Sequence, residues 1–164
     1  MASRREKLLA TASKFVDTFG SFDVETILSI RSPTCLYHMC FPSFNKNTLN
    51  NDETRESFPQ WISAVITFDF SILEPSHTLV DEARKRVMVR TKASADTIVG
   101  GYENEYVFVL QMTEDCGLVD EIWEFYDTIR LQDLQRRLVA NKVSIGGNAP
   151  FSTMVEQASA EVKA

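Results

Sequence analysis

Residues 86–112 read RVMVRTKASADTIVGGYENEYVFVLQM, and this stretch decides the fold. Val87, Val89, Thr91, Ala93 and Ala95 alternate with Arg86, Met88, Arg90, Lys92 and Ser94. That two-residue period marks a half-buried strand. Gly100-Gly101 signals a hairpin. Alternation resumes from Tyr102 to Met112, with Tyr102, Asn104, Tyr106, Phe108 and Leu110 on one face. Glu103, Glu105, Val107, Val109 and Gln111 take the other. A polar turn at residues 113–117 leads into a last strand, Leu118 to Tyr126. Upstream, Thr67 to Val80 alternates well enough for one more strand, with Pro75 implying a bulge or an edge.

Working outward, the period becomes helical. Leu8, Ala12, Phe15, Val16 and Phe19 share one helix face, and Gly20 stops that helix. Asp23 can cap a short helix carrying Val24, Ile27 and Leu28, which Pro33 should break. Thr34 to Phe41 reads as a strand, with Leu36, His38 and Cys40 opposite Tyr37, Met39 and Phe41. Residues 42–51 read as a loop and Asp52 to Ile66 as a helix, with Phe58, Trp61, Ile62 and Val65 on its stripe. After the last strand, Asp127 or Thr128 caps a closing helix bearing Leu131, Leu134 and Leu138. The expectation is one α+β domain over residues 1–140, followed by a tail over 141–164. A long meander that curls, with helices across its mouth, encloses a cone-shaped pocket.

Composition narrows the function classes. In 164 residues, 17 Lys and Arg face 23 Asp and Glu, a net charge of −6. Nucleic-acid binding needs the opposite balance. No run approaches the roughly 18 apolar residues of a membrane span. No apolar targeting segment follows the charged N-terminus, so a cytoplasmic location is expected. The cysteines, Cys35, Cys40 and Cys116, are odd in number and not spaced as metal ligands; buried free thiols in a reducing compartment are expected. His38 and His77 stand far apart, and no phosphate loop, dinucleotide motif or metal motif occurs. Neither metal nor organic cofactor is therefore expected.

The chemistry has to come from scattered residues. The Tyr102–Tyr106–Phe108 face combines apolar area with phenols and an amide, as suits the wall of a pocket for an apolar ligand with a few polar groups. On the last strand, Ile122, Glu124 and Tyr126 oppose Glu121, Trp123, Phe125 and Asp127, and both faces mix acids with large apolar groups. Pattern alone leaves the inward face open. A carboxylate beside aromatics has a raised pKa and can act as a general base or acid. Arg31 offers a forked, permanently charged donor. His38, Trp61, Phe108, Trp123 and Asp127 complete the expected substrate contacts.

Four segments carry a family resemblance: Ser29-Ile30-Arg31-Ser32-Pro33-Thr34-Cys35, Asn51-Asp52-Glu53, Tyr102-x-x-Glu105-Tyr106, and Glu124-Phe125-x-Asp127. Over residues 5–140 the chain resembles the fungal SnoaL-like group of the NTF2-like superfamily, the small isomerases of natural-product pathways, semipinacolases and meroterpenoid isomerases among them. The resemblance implies a strongly curved, mostly antiparallel sheet with helices on its concave side, a homodimer formed through the sheets, and acid–base rearrangement of a bulky polycyclic substrate without a cofactor. It also implies a catalytic set of Arg31, Tyr102, Tyr106 and Glu124, and so turns Glu124 inward. The alternative from another class is a non-catalytic module that binds a hydrophobic small molecule or serves as a partner subunit. Convergence of those four residues on one cavity discriminates the two.

Overall fold

The computed structural model describes residues 2–40 and 48–143. Helix α1 (Arg4–Gly20) starts in a capping box in which Ser3 and Glu6 exchange hydrogen bonds,. It buries Leu8, Ala12, Phe15 and Val16. Helix α2 (Val24–Leu28) is capped by Asp23, which accepts from the Thr26 N–H. There follow β1 (Arg31–Met39), β2 (Thr48–Leu49), α3 (Asn51–Ile62), β3 (Val65–Ile72), a 3₁₀ turn (Pro75–His77), β4 (Leu79–Asp81), β5 (Arg86–Thr97), β6 (Gly100–Met112), β7 (Val119–Tyr126) and α4 (Thr128–Ala140). The sheet runs β2-β1-β7-β6-β5-β3, with β4 also paired to β5. Only β1 and β7 pair in parallel among these strands.

The alternation of β5 and β6 holds throughout. Val87, Val89, Thr91 and Ala93 are fully buried, as are Phe108 and Leu110. They meet α1 in the main core, where Phe15 sets its ring edge-on to Phe108 at 5.2 Å. The opposite face of the two strands carries cross-strand ion pairs, Arg90–Glu105 and Lys92–Glu103,. Helix α1 is further pinned by the Thr11 hydroxyl, which donates to the Cys116 carbonyl at 2.6 Å. No helix among the described residues is long and apolar enough to cross a membrane.

Four local expectations need correction. Residues 67–80 form two strands, not one: Glu74 takes a left-handed conformation (φ 52°) and Pro75 opens a 3₁₀ turn. The third helix ends at Ile62, and Val65 and Ile66 already belong to β3. Pro33 breaks no helix, because α2 stops at Leu28 and the proline lies inside β1. There the β1–β7 register shifts between Arg31 and Leu36, which accommodates a residue with no N–H to donate,. Thr48 and Leu49, read as loop, pair with His38 and Tyr37. Phe41, most of the expected loop, and the tail from residue 144 lie outside the described residues.

The β5–β6 hairpin turns through Ile98-Val99, and Gly100 at φ +102° closes it,. Arg137 of α4 donates to the Val99 and Gly101 carbonyls at 2.9 and 3.0 Å, tying the closing helix to the hairpin. Because Phe15 is fully enclosed between helix and sheet, Phe15→Ala is expected to cost about 3–5 kcal/mol in urea unfolding.

Candidate active site

The cone opens into a cavity between the inner face of the sheet and helices α1, α3 and α4. Its wall is mostly apolar and includes four phenyl rings: Phe19 of α1, Phe22 just after it, Phe58 of α3, and Phe68 of β3. Phe22 meets the Phe68 ring in a tilted contact at 4.4 Å and sits 5.6 Å from Phe58. It holds a left-handed backbone (φ 56°), a strained conformation for an aromatic residue,.

Two polar groups interrupt this wall. The first gathers at the parallel β1–β7 pair. Met39 pairs with Glu124, so Glu124 and Tyr37 both project inward. Glu124 is 4% exposed and accepts a hydrogen bond from the Tyr37 hydroxyl. The Arg31 guanidinium lies over the Tyr37 ring at 5.1 Å and donates to the Thr54 hydroxyl at 3.2 Å. Its Nε is buried without a hydrogen-bond partner among the described residues. Burial pushes the Glu124 carboxyl up to about 7, against the Tyr37 hydrogen bond and the Arg31 charge, which both pull it down,. A carboxyl at that value suits a general base working near neutrality.

The second group belongs to β6. The Tyr102 and Tyr106 hydroxyls are 2.9 Å apart. Asn104, between them in sequence and 2% exposed, donates to the Tyr102 oxygen at 2.8 Å. The same amide nitrogen donates to the Asp127 carbonyl at 2.9 Å. Burial lifts both phenols above their ordinary value, so both stay protonated and able to donate.

Arg31, Tyr102, Tyr106 and Glu124 thus line one cavity. No protein-family model matches the chain. Curated relatives do. An austinoid biosynthesis cluster protein F from Aspergillus calidoustus is 69% identical over 157 residues, which span 96% of this chain and 90% of that protein. The isomerase PrhC from Penicillium brasilianum is 47% identical over 144 residues, 88% of this chain and 83% of its own. The solved PrhC structure matches with a TM-score of 0.82 at 48% identity, over 86% of this chain and 93% of that one. The chain belongs to the fungal NTF2-like biosynthetic isomerases. The solved BvnE pinacolase from Penicillium brevicompactum shares the architecture at 26% identity, with a TM-score of 0.80 over 85% of this chain and 99% of that one. NTF2-like and SnoaL-like proteins far more distant in sequence keep the same fold.

Not every expected contact of this isomerase reaches the cavity. His38 alternates with Tyr37 and Met39 and faces the outside of the sheet. There its ring nitrogens bond Glu121 (2.8 Å) and Thr48 (3.0 Å), and the ring stacks on Trp123 at 5.5 Å. Trp123 precedes Glu124 and therefore points outward too, with the Arg86 guanidinium over it at 5.2 Å. Phe108 faces inward but is fully buried beneath the cavity floor, stacked on Tyr106. Asp127 caps α4 by accepting from the Ile129 N–H, and only its carbonyl serves the site, through Asn104. Trp61 lies in α3, and its side chain is outside the described residues. The sequence reading missed Tyr37 and Thr54. The alternation of β1 already paired Tyr37 with the buried Met39, whereas Thr54 carries no distinguishing pattern.

The raised Glu124 carboxyl has a consequence for stability. Between its ordinary value of 4.5 and about 7 the native chain holds a proton that the unfolded chain has lost. Its contribution to unfolding free energy therefore falls as pH rises through that window. Urea titrations at stepped pH should show wild type losing stability relative to Glu124→Gln from pH 4.5 to 7; parallel curves would contradict a raised carboxyl.

Proposed function

We propose that this isomerase carries out a cofactor-independent acid–base rearrangement, of semipinacol type or closely related, on a bulky oxygenated polycyclic intermediate. The observation that carries the reading is a carboxylate poised near neutrality beside a buried guanidinium, in an aromatic cavity that also holds a phenol pair. Austinoid cluster membership in one relative and pinacolase activity in a structural neighbour support a polycyclic meroterpenoid or alkaloid substrate.

In this reading Glu124 removes a hydroxyl proton as a neighbouring carbon–carbon bond migrates. Electron density passes to the accepting atom, where the Arg31 charge steadies it and a tyrosine returns a proton. One proton is taken and one is given, so the product has the mass of the substrate. Each positioned acid or base contributes roughly 10²–10⁴-fold, and the fixed geometry adds to that. Tyr37 remains protonated and holds the Glu124 oxygen that is not reacting. The Phe19, Phe22, Phe58 and Phe68 rings exclude water and take the apolar body of the substrate.

The test is incubation of the purified protein with oxygenated tetracyclic meroterpenoid intermediates, read by mass spectrometry and NMR. A product of unchanged mass is expected, with turnover that persists in EDTA; loss of one water would mean a dehydratase instead. Glu124→Gln is expected to lower kcat by about 10²-fold or more with KM little changed. Arg31→Lys should also be poor, because a point charge does not replace a forked donor. Asp127→Asn should be mild, since Asn caps helices about as well as Asp.

We also propose a homodimer built on the outer sheet face. Leu36 and Phe125 are 40% and 44% exposed there, near the half-buried Met88, Val107, Val109 and Trp123,. Light scattering at micromolar concentration should give twice the chain mass; a monomer alone would refute this.

A further inference from the structure

We infer that Asn104 is a positioning residue that makes Tyr102, and not Tyr106, the phenol delivering a proton into the cavity. The catalytic meaning of this rests on the isomerase reading above. Its basis is the bonding of one buried amide. Both donors of the Asn104 nitrogen are committed, one to the Tyr102 oxygen at 2.8 Å and one to the Asp127 carbonyl at 2.9 Å. Its oxygen is committed as well, accepting from the Glu105 N–H at 2.9 Å. The amide therefore cannot flip, and the Tyr102 oxygen is an obligatory acceptor.

That breaks the symmetry of the phenol pair. If the Tyr106 hydroxyl donates across the 2.9 Å contact, the Tyr102 oxygen accepts two hydrogen bonds and its own proton is turned to the cavity. If the proton ran the other way, a phenolate at Tyr106 would be held by a single side-chain donor of the pair. Negative charge is better placed where two donors converge. The burial energetics agree. At Tyr102 the bonds from Tyr106 and Asn104 oppose the rise that burial causes, whereas at Tyr106 the bond to Tyr102 adds to that rise. Glu124 and Asp127 face Tyr102, and Glu124 and Tyr126 face Tyr106; all of them oppose ionisation, so they do not favour Tyr106.

The step balances. The Tyr102 O–H bond breaks as a new O–H bond forms on the substrate oxygen. The electron pair stays on the phenolate, held by Asn104 and Tyr106. The proton that Glu124 has taken from the substrate hydroxyl restores Tyr102 once product leaves.

The experiment needs no substrate. Tyr102 and Tyr106 are replaced singly by 3-fluorotyrosine, and each label is titrated by ¹⁹F NMR in the free protein. The label at 102 is expected to ionise at lower pH than the label at 106. Asn104→Leu should raise the value at 102 by about 1–2 pH units, the effect of one lost hydrogen bond to the charged form. Asn104→Asp, which keeps the acceptor for the Glu105 N–H, should raise it further, because its carboxylate adds a like charge beside the phenol. A shift at 106 should be smaller. Ionisation of the 106 label first, or an equal response of both labels to loss of Asn104, would overturn the inference. Should both Asn104 variants fail to fold, the order of the two labels in otherwise unaltered protein still decides. Because no turnover is measured, this failure is distinct from failure of the mass-neutral reaction.

Discussion

The site depends on one costly arrangement: a carboxylate and a guanidinium both withdrawn from water on the concave face of a sheet. Removing either ion from water costs several kcal/mol after relaxation, and only good geometry offsets that. Here the offset is partial. Arg31 is held by the Thr54 hydroxyl and by the Tyr37 ring, and Glu124 by the Tyr37 hydroxyl. Burial still prevails, and the carboxyl rises to about 7. A tighter pair would be a more stable protein and a weaker base. The same imbalance that costs stability leaves Glu124 able to pick up a proton near neutrality.

What brings the two charges together is topology. Arg31 and Glu124 are far apart in sequence, and β1 joins β7 in the sheet's one parallel pairing among the described strands. The register shift around Pro33 lies in that pairing, between Arg31 and Leu36. The strand thus enters the sheet with Arg31 against Val119 and resumes with Tyr37 against Ile122 and Met39 against Glu124. A bulge at a proline, which has no N–H to donate, also sets how the guanidinium is placed relative to the carboxylate whose ionisation its charge favours,. The phenols come from β6, which pairs in turn with β7, Phe108 opposite Glu124 and Tyr106 opposite Tyr126. One continuous run of strands, β1-β7-β6, therefore fixes the guanidinium, the carboxylate and the phenols relative to one another,.

Much of this was legible in the sequence, and the reasons are specific. In β5 and β6 one face is small, apolar or aromatic and the other carries all the charges of both strands, from Arg86 to Glu105, so the inward set followed from alternation. Helix caps at Ser3, Asp23 and Asp127 were equally readable for the second and third of these, because an acid precedes an apolar period. In β7 each face mixes acids with large rings, and alternation gives two equivalent answers; only the parallel partner strand, whose buried Tyr37 and Met39 lie beside Ile122 and Glu124, separates them. His38 and Trp123 misled for a physical reason. An imidazole stacked on an indole, with a guanidinium on the same indole, makes a stable polar–aromatic cluster on an outer face, and its composition mimics a binding pocket,. Thr54 was invisible because a helix threonine has no periodic signature of its contact with a strand arginine.

The electrostatics of the cavity also constrain what can enter it. With Glu124 ionised, its charge and that of Arg31 cancel, and both phenols are neutral. With Glu124 protonated, the cavity carries one positive charge. A neutral polyoxygenated molecule meets no charge mismatch in the first state, which is also the state in which the proposed base is free of its proton. An anionic substrate would be drawn to the second state, in which the base is already occupied. It would also weaken the effect of the Arg31 charge on Glu124 by competing for the guanidinium, whose Nε is without a hydrogen-bond partner among the described residues. A carboxylic acid should therefore bind as an inhibitor rather than react, while a neutral substrate can use the same Nε–H for an oxygen that gains charge only in the transition state. Under the proposed acid–base roles, the charges of Glu124 and Arg31 thus favour neutral, apolar-bodied molecules, and the aromatic side chains of the wall favour them too.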